Sequence, residues 1–275
     1  MIQRMLIAFC MLMLCASQRA APSVELKQDL HTQAASAVLA RDFNDPDLSY
    51  LLLDENGEII AQRWEHPERD LPIGSLVKPF LAVAYGQTHT FYPEFRCAGK
   101  KTCWLPRGHG KLQIREAIAF SCNSYFHQLI ADAGTDFAQA LANYPVHGPA
   151  GPAEKLSTVD WAAPVPLAQA YLDLTRHAQD AAVLPVLQGM ALSAQKGTGK
   201  AAGAALPHNS VLAKTGTAPC THAKKAPGDG FAVVMTPADH PRAVLLVRLH
   251  GHPGSVAAGV AGRMLAAVAG DGANR

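Results

Sequence analysis

A chain of 275 residues with 49% hydrophobic and 17% charged residues can bury a sizeable core, which excludes a disordered or low-complexity protein. The net charge of +2, without any lysine–arginine tract interleaved with aromatics, excludes nucleic acid as a partner and leaves small molecules or polymers.

The first residues read as an export signal. Arg4 supplies the positive start, residues 5–14 the apolar segment, and Cys15-Ala16-Ser17 a small-residue exit, in a run too short to span a bilayer. The expected organisation is a signal peptide over residues 1–20 and one domain over residues 21–275, placed in the periplasm or another extracytoplasmic space. A buried first helix is the alternative. Lipidation at Cys15 is disfavoured by the bulky Leu14 before it.

Export would remove Cys10 and Cys15 and leave Cys97, Cys103, Cys122 and Cys220 in an oxidising space. A local Cys97–Cys103 bridge in CAGKKTC is the first choice. Zinc held by that pair with His109 is the rival, with a spacing that matches no common structural zinc pattern. Whether Cys122 and Cys220 pair stays open.

Along the chain, residues 24–41 form an alanine-rich helix. LSYLLLD and GEIIAQR are strands around Asn56-Gly57, a dipeptide suited to tight hairpins. A turn at Pro72-Ile73-Gly74 precedes a helix from Ser75 to about Gly86, and residues 87–110 read as a loop. LQIREAIAF is helical, breaks at Ser121-Cys122-Asn123, and resumes as SYFHQLIADAG up to Gly134. After a loop at 145–152 come the helices PLAQAYLDLTRHA and LPVLQGMALSA, then three strands, VLAKTGT, GFAVVMTP and AVLLVRLH. SVAAGVAGRMLAAVA closes the chain as a helix. This order predicts an α+β fold: an antiparallel five-stranded sheet built from both chain ends, flanked by helices, with an all-helical subdomain and a cleft between the two parts.

Three short elements carry chemistry. In Ser75-Leu-Val-Lys78, helical spacing puts an amine beside a hydroxyl. A serine hydroxyl needs a base to become a nucleophile, and a lysine can serve once burial or a second positive charge lowers its pKa from about 10.4. Ser121-Cys-Asn123 offers a hydroxyl and an amide, and Lys214-Thr-Gly-Thr217 a cation, two hydroxyls and a side-chain-free stretch of strand. Other features are set aside. GTGK at 197–200 lacks the leading glycine and final hydroxyl of a phosphate loop. His109 orders its loop, and Trp104 and Trp161 pack, with substrate contact the minority reading. No two histidines are metal-spaced on a helix, and His250 and His252 at a strand end face solvent.

The three elements, in this order, resemble the transpeptidase domain of the penicillin-binding protein family, within the serine β-lactamase and D,D-peptidase superfamily. GHGKLQIREAI at 108–118, SCNSYFHQL, GTGKAA at 197–202, AKTGTA and GFAVVMTP extend the likeness over residues 47–268. The resemblance implies a D,D-transpeptidase or D,D-carboxypeptidase acting on D-Ala-D-Ala stem peptides of peptidoglycan through a Ser75 acyl-enzyme, inhibited by β-lactam antibiotics. Lys78 would be the base, and Ser121 and Asn123 the proton relay and substrate anchor. Lys214 with Thr215, Gly216 and Thr217 would form the carboxylate clamp. Backbone N–H groups of Ser75 and Thr217 would form the oxyanion hole. No metal or organic cofactor is implied, and a cell-wall partner protein would replace the pedestal that larger members carry.

The alternatives are a class D-like β-lactamase, a β-lactam sensor and a wall-binding domain. The compact spacing, 46 residues from Ser75 to Ser121 and 93 from Ser121 to Lys214, is similar to class D enzymes, which carboxylate the motif lysine. Glu154 is a weak candidate for a deacylating base, since PAEKLS does not resemble the class A loop. The missing membrane segment after the leader disfavours the sensor, and the filled motif positions disfavour the wall-binding domain.

Overall fold

The computed structural model describes residues 23–148 and 160–273. The proposed leader with Cys10 and Cys15, and the Glu154 loop, lie outside the described residues. The chain begins with α1 (Ser23–Asp42) and the hairpin β1 (Leu48–Asp54) and β2 (Ile59–Arg63). The short β3 (Leu71–Pro72) leads through one 3-10 turn, Gly74–Val77, into α2 (Lys78–Thr88). Next come β4 (Phe95–Cys97), β5 (Gly110–Leu112), α3 (Ile114–Ala119), α4 (Asn123–Asp132) and α5 (Phe137–Leu141). β6 (Trp161–Ala162), α6 (Pro164–Arg176), α7 (Leu184–Lys196) and α8 (Lys200–Ala205) follow. The chain closes with β7 (Leu212–Ala218), β8 (Asp229–Thr236), β9 (Ala243–His250) and α9 (Gly254–Ala273).

The main sheet has the order β2-β1-β9-β8-β7, antiparallel throughout. Both ends of the chain build it, as the sequence predicts. Asp54 Oδ1 closes the hairpin by accepting from the backbone N–H of Asn56 (2.8 Å) and Glu58 (2.9 Å), and Gly57 takes φ +90°. Alternate side chains of β1 enter two cores. Leu51 and Leu53 face the helical side, and Leu48, Tyr50 and Leu52 face the side covered by α1 and α9. With both faces buried, the strand reads as a near-continuous apolar run.

Two expectations are corrected. The 87–110 stretch is not all loop, because β4 pairs with β5 and the backbones of Gly99 and Gly108 cross in contact, with room for no Cβ on either. The local Cys97–Cys103 bridge is not formed, and all four described cysteines are free thiols. The ribbon turns Cys97 and Cys103 toward His109 and Cys122 instead.

Candidate active site

The 3-10 turn that carries Ser75 is pressed onto the edge strand β7. A Cβ on Gly74, which sits at φ +53°, would lie 2.4 Å from the Thr217 carbonyl oxygen, and one on Gly216 would lie 2.6 Å from that of Ile73. Glycine at both positions therefore lets the backbone of the Ser75 turn touch that of β7. The turn is also tethered by Tyr171, whose hydroxyl donates to the Leu76 carbonyl at 2.7 Å. Ser75 opens onto a cavity of about 890 Å³, and its hydroxyl has no hydrogen-bond partner among the described residues.

Lys78 starts α2, the central buried helix, and is itself buried. Its amine donates to Asn123 Oδ1 at 2.6 Å and to the Ser121 carbonyl at 2.8 Å, with the Ser121 hydroxyl at 3.4 Å. Burial pulls its pKa down to about 7, against a smaller opposing pull from the thiols of Cys122 and Cys103. Lys214, fully buried on β7, donates to Ser121 Oγ at 2.9 Å and to the Thr215 carbonyl at 2.7 Å. Burial first, and the charge of Lys78 second, push the Lys214 amine well below the ordinary lysine range. Ser121 Oγ thus stands between two amines, and no carboxylate is bonded to either among the described residues.

Ser121 itself adopts φ +50°, a region where only glycine rests without strain. Hydrogen bonds from its N–H to the Ile118 carbonyl and from the Cys122 N–H to the Ala117 carbonyl hold the conformation. The break after α3 is what turns Ser121 and Asn123 toward the amines.

The structure brings Ser75, Ser121, Asn123, Thr215, Gly216 and Thr217 to one cavity, with Lys78 and Lys214 behind it. Thr217 Oγ1 accepts from the backbone N–H of Gly254 at 3.0 Å, which docks the start of α9 against β7. The cavity also takes residues the sequence reading left out. Thr198 accepts a 2.6 Å hydrogen bond from the Thr215 hydroxyl, and Lys196 and Lys200 add positive charge to the rim. They lie in and around GTGKAA, a segment that carries the family likeness in the sequence without any residue of it being read as part of the site. Trp104 is corrected from packing to cavity wall: it is 53% exposed, lines the cavity, and donates its indole N–H to the Phe120 carbonyl at 3.1 Å.

Directly behind this wall lies a second constellation. Cys97, Cys103, Cys122 and His109 place one donor atom each within 4.8 Å of one another. The His109 Nδ1 lies 3.6 Å from Cys97 Sγ and 3.5 Å from Cys103 Sγ, and the Cys103 and Cys122 sulfurs are 3.9 Å apart. These separations match the edges of a tetrahedron around zinc, about 3.5–3.8 Å for bonds near 2.3 Å to sulfur and 2.0 Å to nitrogen. The sequence reading expected no metal and set zinc at Cys97, Cys103 and His109 aside on spacing. The fold adds Cys122 as a fourth donor, which linear spacing concealed. An ion held here would brace the turn bearing Ser121 and Asn123. Through the His109 ring, which stacks on Phe120 and meets Trp104 edge-on, it would also brace the cavity wall.

No family model matches the sequence, and no curated protein does. Solved structures match along most of the chain. The transpeptidase domain of Burkholderia pseudomallei penicillin-binding protein 3 is 17% identical with a TM-score of 0.66, over 90% of this chain and 94% of that one. The transpeptidase domain of the FtsI4 D,D-transpeptidase from Legionella pneumophila is 19% identical with a TM-score of 0.59, over 90% and 95%. Pseudomonas aeruginosa PBP2, solved in complex with WCK 5153, is 17% identical with a TM-score of 0.65, over 87% and 73%. The fold is that of penicillin-binding transpeptidase domains.

Proposed function

We propose that this chain is an exported, penicillin-binding serine acyltransferase that attacks D-Ala-D-Ala stem peptides of peptidoglycan through Ser75. The observation that carries the reading is the Ser121 hydroxyl held between the buried amines of Lys78 and Lys214, at the base of the cavity onto which Ser75 opens. An amine with a pKa near 7 is a usable base at neutral pH. Lys78 takes the Ser75 proton as Oγ adds to the penultimate D-Ala carbonyl. Collapse breaks the peptide bond, and the proton passes by way of Ser121 to the departing D-alanine amine. The backbone N–H groups of Ser75 and Thr217 stabilise the oxyanion, each such donor contributing roughly 3–4 kcal/mol.

The edge strand β7 suits an extended peptide, which can lie along it as an added strand. Thr215, Thr217 and Lys214, with the rim cations Lys196 and Lys200, favour a ligand that ends in a carboxylate. A β-lactam presents the same carboxylate beside a strained amide and leaves Ser75 acylated.

The surroundings of Lys78 bear on the β-lactamase alternative. Its amine faces the Asn123 and Ser121 carbonyl oxygens at 2.6 and 2.8 Å, and the Ser121 hydroxyl, which can donate as well as accept, at 3.4 Å. A carbamate there would set its negative oxygens against the two carbonyls, which favours the free amine. The test is intact-protein mass after mixing with benzylpenicillin, with Ser75→Ala alongside. A lasting adduct on wild type alone is expected; rapid loss with antibiotic consumed would move the assignment to a β-lactamase, and no adduct would leave a binding domain.

A further inference from the structure

Three of the four described cysteines converge behind the active site, and Cys220 stands apart from them, just beyond the end of β7. Its surroundings are built by strand register. Ala218 on β7 pairs with Asp229 on β8, and Asp229 pairs in turn with His250 on β9. The return of the β7–β8 connection thus places Cys220 over this row. Cys220 Sγ lies 3.2 Å from Asp229 Oδ1 and 3.4 Å from His250 Nδ1, and His250 Nδ1 lies 2.7 Å from Asp229 Oδ1. Asp229 and His250 are buried, at 2% and 8% exposure. Cys220, Asp229 and His250 place one donor atom each within 4.8 Å of one another; His222 lies outside that set, with Nδ1 3.9 Å from Asp229 Oδ2 and a half-exposed ring.

We propose that Cys220, Asp229 and His250 form a metal site, distinct from the sulfur-rich set behind the active site, that takes a zinc ion with water in the fourth position and clips the β7–β8 loop to the sheet. The donor chemistry selects the ion. One thiolate, one imidazole and one carboxylate make a borderline-soft set that suits zinc and not magnesium or calcium. The sulfur-to-nitrogen separation of 3.4 Å fits the edge of a zinc tetrahedron, about 3.5 Å, and the sulfur-to-oxygen separation of 3.2 Å needs to open by about 0.3 Å. The shorter Asp229–His250 contact is a hydrogen bond, and it needs to open by about half an ångström when both groups turn to a metal. On binding, zinc replaces the thiol proton of Cys220, which leaves to solvent.

A nucleophilic triad is the other use of a cysteine, histidine and aspartate, and the geometry excludes it. Cys220 and Asp229 both approach the same nitrogen of His250, Nδ1. A triad needs the carboxylate on one ring nitrogen and the nucleophile on the other. Cys220 also lies outside the residues that line the main cavity.

The site would act on the reaction by position. Cys220 follows Thr217 by three residues, and the backbone of His252 and Pro253, beyond His250, packs against Gly230 opposite Thr217. Fixing the loop fixes the far end of the strand that lines the cavity. The surrounding charges are Lys225, which pairs with Asp47 and whose carbonyl accepts from the Cys220 thiol, and the nearby His252.

The experiment is residue-resolved alkylation of the wild-type protein, with peptide mass spectrometry, in excess zinc and after chelation, beside total zinc measured by inductively coupled plasma mass spectrometry. The expected result is that zinc slows alkylation of Cys220 by roughly an order of magnitude or more, because the metal-held thiolate is withdrawn from reaction. Cys220→Ser and His250→Ala should each release one equivalent of zinc while Cys97, Cys103 and Cys122 stay protected. Equal alkylation of Cys220 with and without zinc would overturn the proposal, as would a full zinc complement in both variants. The wild-type measurement decides the matter even if a variant fails to fold.

Discussion

The turn Ser121-Cys122-Asn123 separates two buried polar clusters that share a stretch of backbone and little else. On one side Ser121 and Asn123 face the amines of Lys78 and Lys214. On the other, Cys122 faces two sulfurs and an imidazole. The amine side relieves the cost of burial by losing protons, which is what turns a lysine into a base. The sulfur side holds free thiols and an imidazole, and an ion there would deprotonate the thiols and tie the ribbon, the loop and the helix break to one point. Alternate side chains of one strained turn thus serve chemistry and framework, and the middle position of the motif, free in principle, is committed here.

The comparison can be broken hardest on the amine side. Ser75→Ala should abolish the benzylpenicillin adduct in intact-protein mass while leaving the fold and the metal content as in wild type, since Ser75 touches neither cluster by a hydrogen bond. Next in size is the effect of pH. Lys78 acts as a base only when neutral, and its pKa is about 7. Acylation measured by stopped-flow with a chromogenic β-lactam should fall by about tenfold per unit below about pH 7 and level off above it. A rate that instead declines as pH rises through 7 would require the charged amine and would remove Lys78 from the role of base.

The sulfur side is tested by Cys122→Ala. Cys122 is fully buried, so the variant loses a ligand and adds only a small void. Loss of a ligand or its close support typically costs 10–100-fold in metal affinity. After loading both proteins with zinc, the variant should hold less of it than wild type, melt lower, and acylate more slowly because Ser121 and Asn123 lose the brace an ion would give them. A chelator should produce the same slowing in wild type and none in the variant. If acylation is unchanged in both, the two clusters are independent and the framework role is wrong.

The division also explains what the sequence could and could not disclose. The sheet was legible because short apolar runs bounded by turn residues and the Asn56-Gly57 turn are local signals, and so was the gathering of Ser121 and Asn123 about Lys78, because the Ser75-to-Lys78 and Ser121-to-Asn123 spacings survive as short words. The metal-capable sets were not. Cys97, Cys103, His109 and Cys122 come from a ribbon, a loop and a helix break, and only the crossing of Gly99 and Gly108 brings them together. Cys220, Asp229 and His250 depend on strand register, which no local pattern prints. The expected Cys97–Cys103 bridge failed for the same reason: closeness in sequence said nothing about which way the ribbon turns its thiols. Trp104 was misjudged because a large aromatic in a loop reads as packing until the cavity beside it is seen.

The smallest expected effect lies at the border of the amine side, where Thr198 meets β7. The Thr215 hydroxyl donates to Thr198 Oγ1 at 2.6 Å, and both line the cavity. Thr198 is anchored independently, through its backbone N–H to the Ala119 carbonyl, two residues before Ser121. It therefore links β7, where we place the substrate carboxylate, to the segment that bears Ser121. Thr198→Val keeps the shape and removes the acceptor. A neutral hydrogen bond of this kind contributes about 1 kcal/mol, so the acylation efficiency should drop by roughly fivefold. The drop should appear in the concentration dependence and not in the limiting rate, because Thr198 orients the hydroxyl that receives the substrate carboxylate and takes no part in moving the Ser75 proton. A fall in the limiting rate alone would place Thr198 with the relay and move the border between the two regions one residue layer deeper.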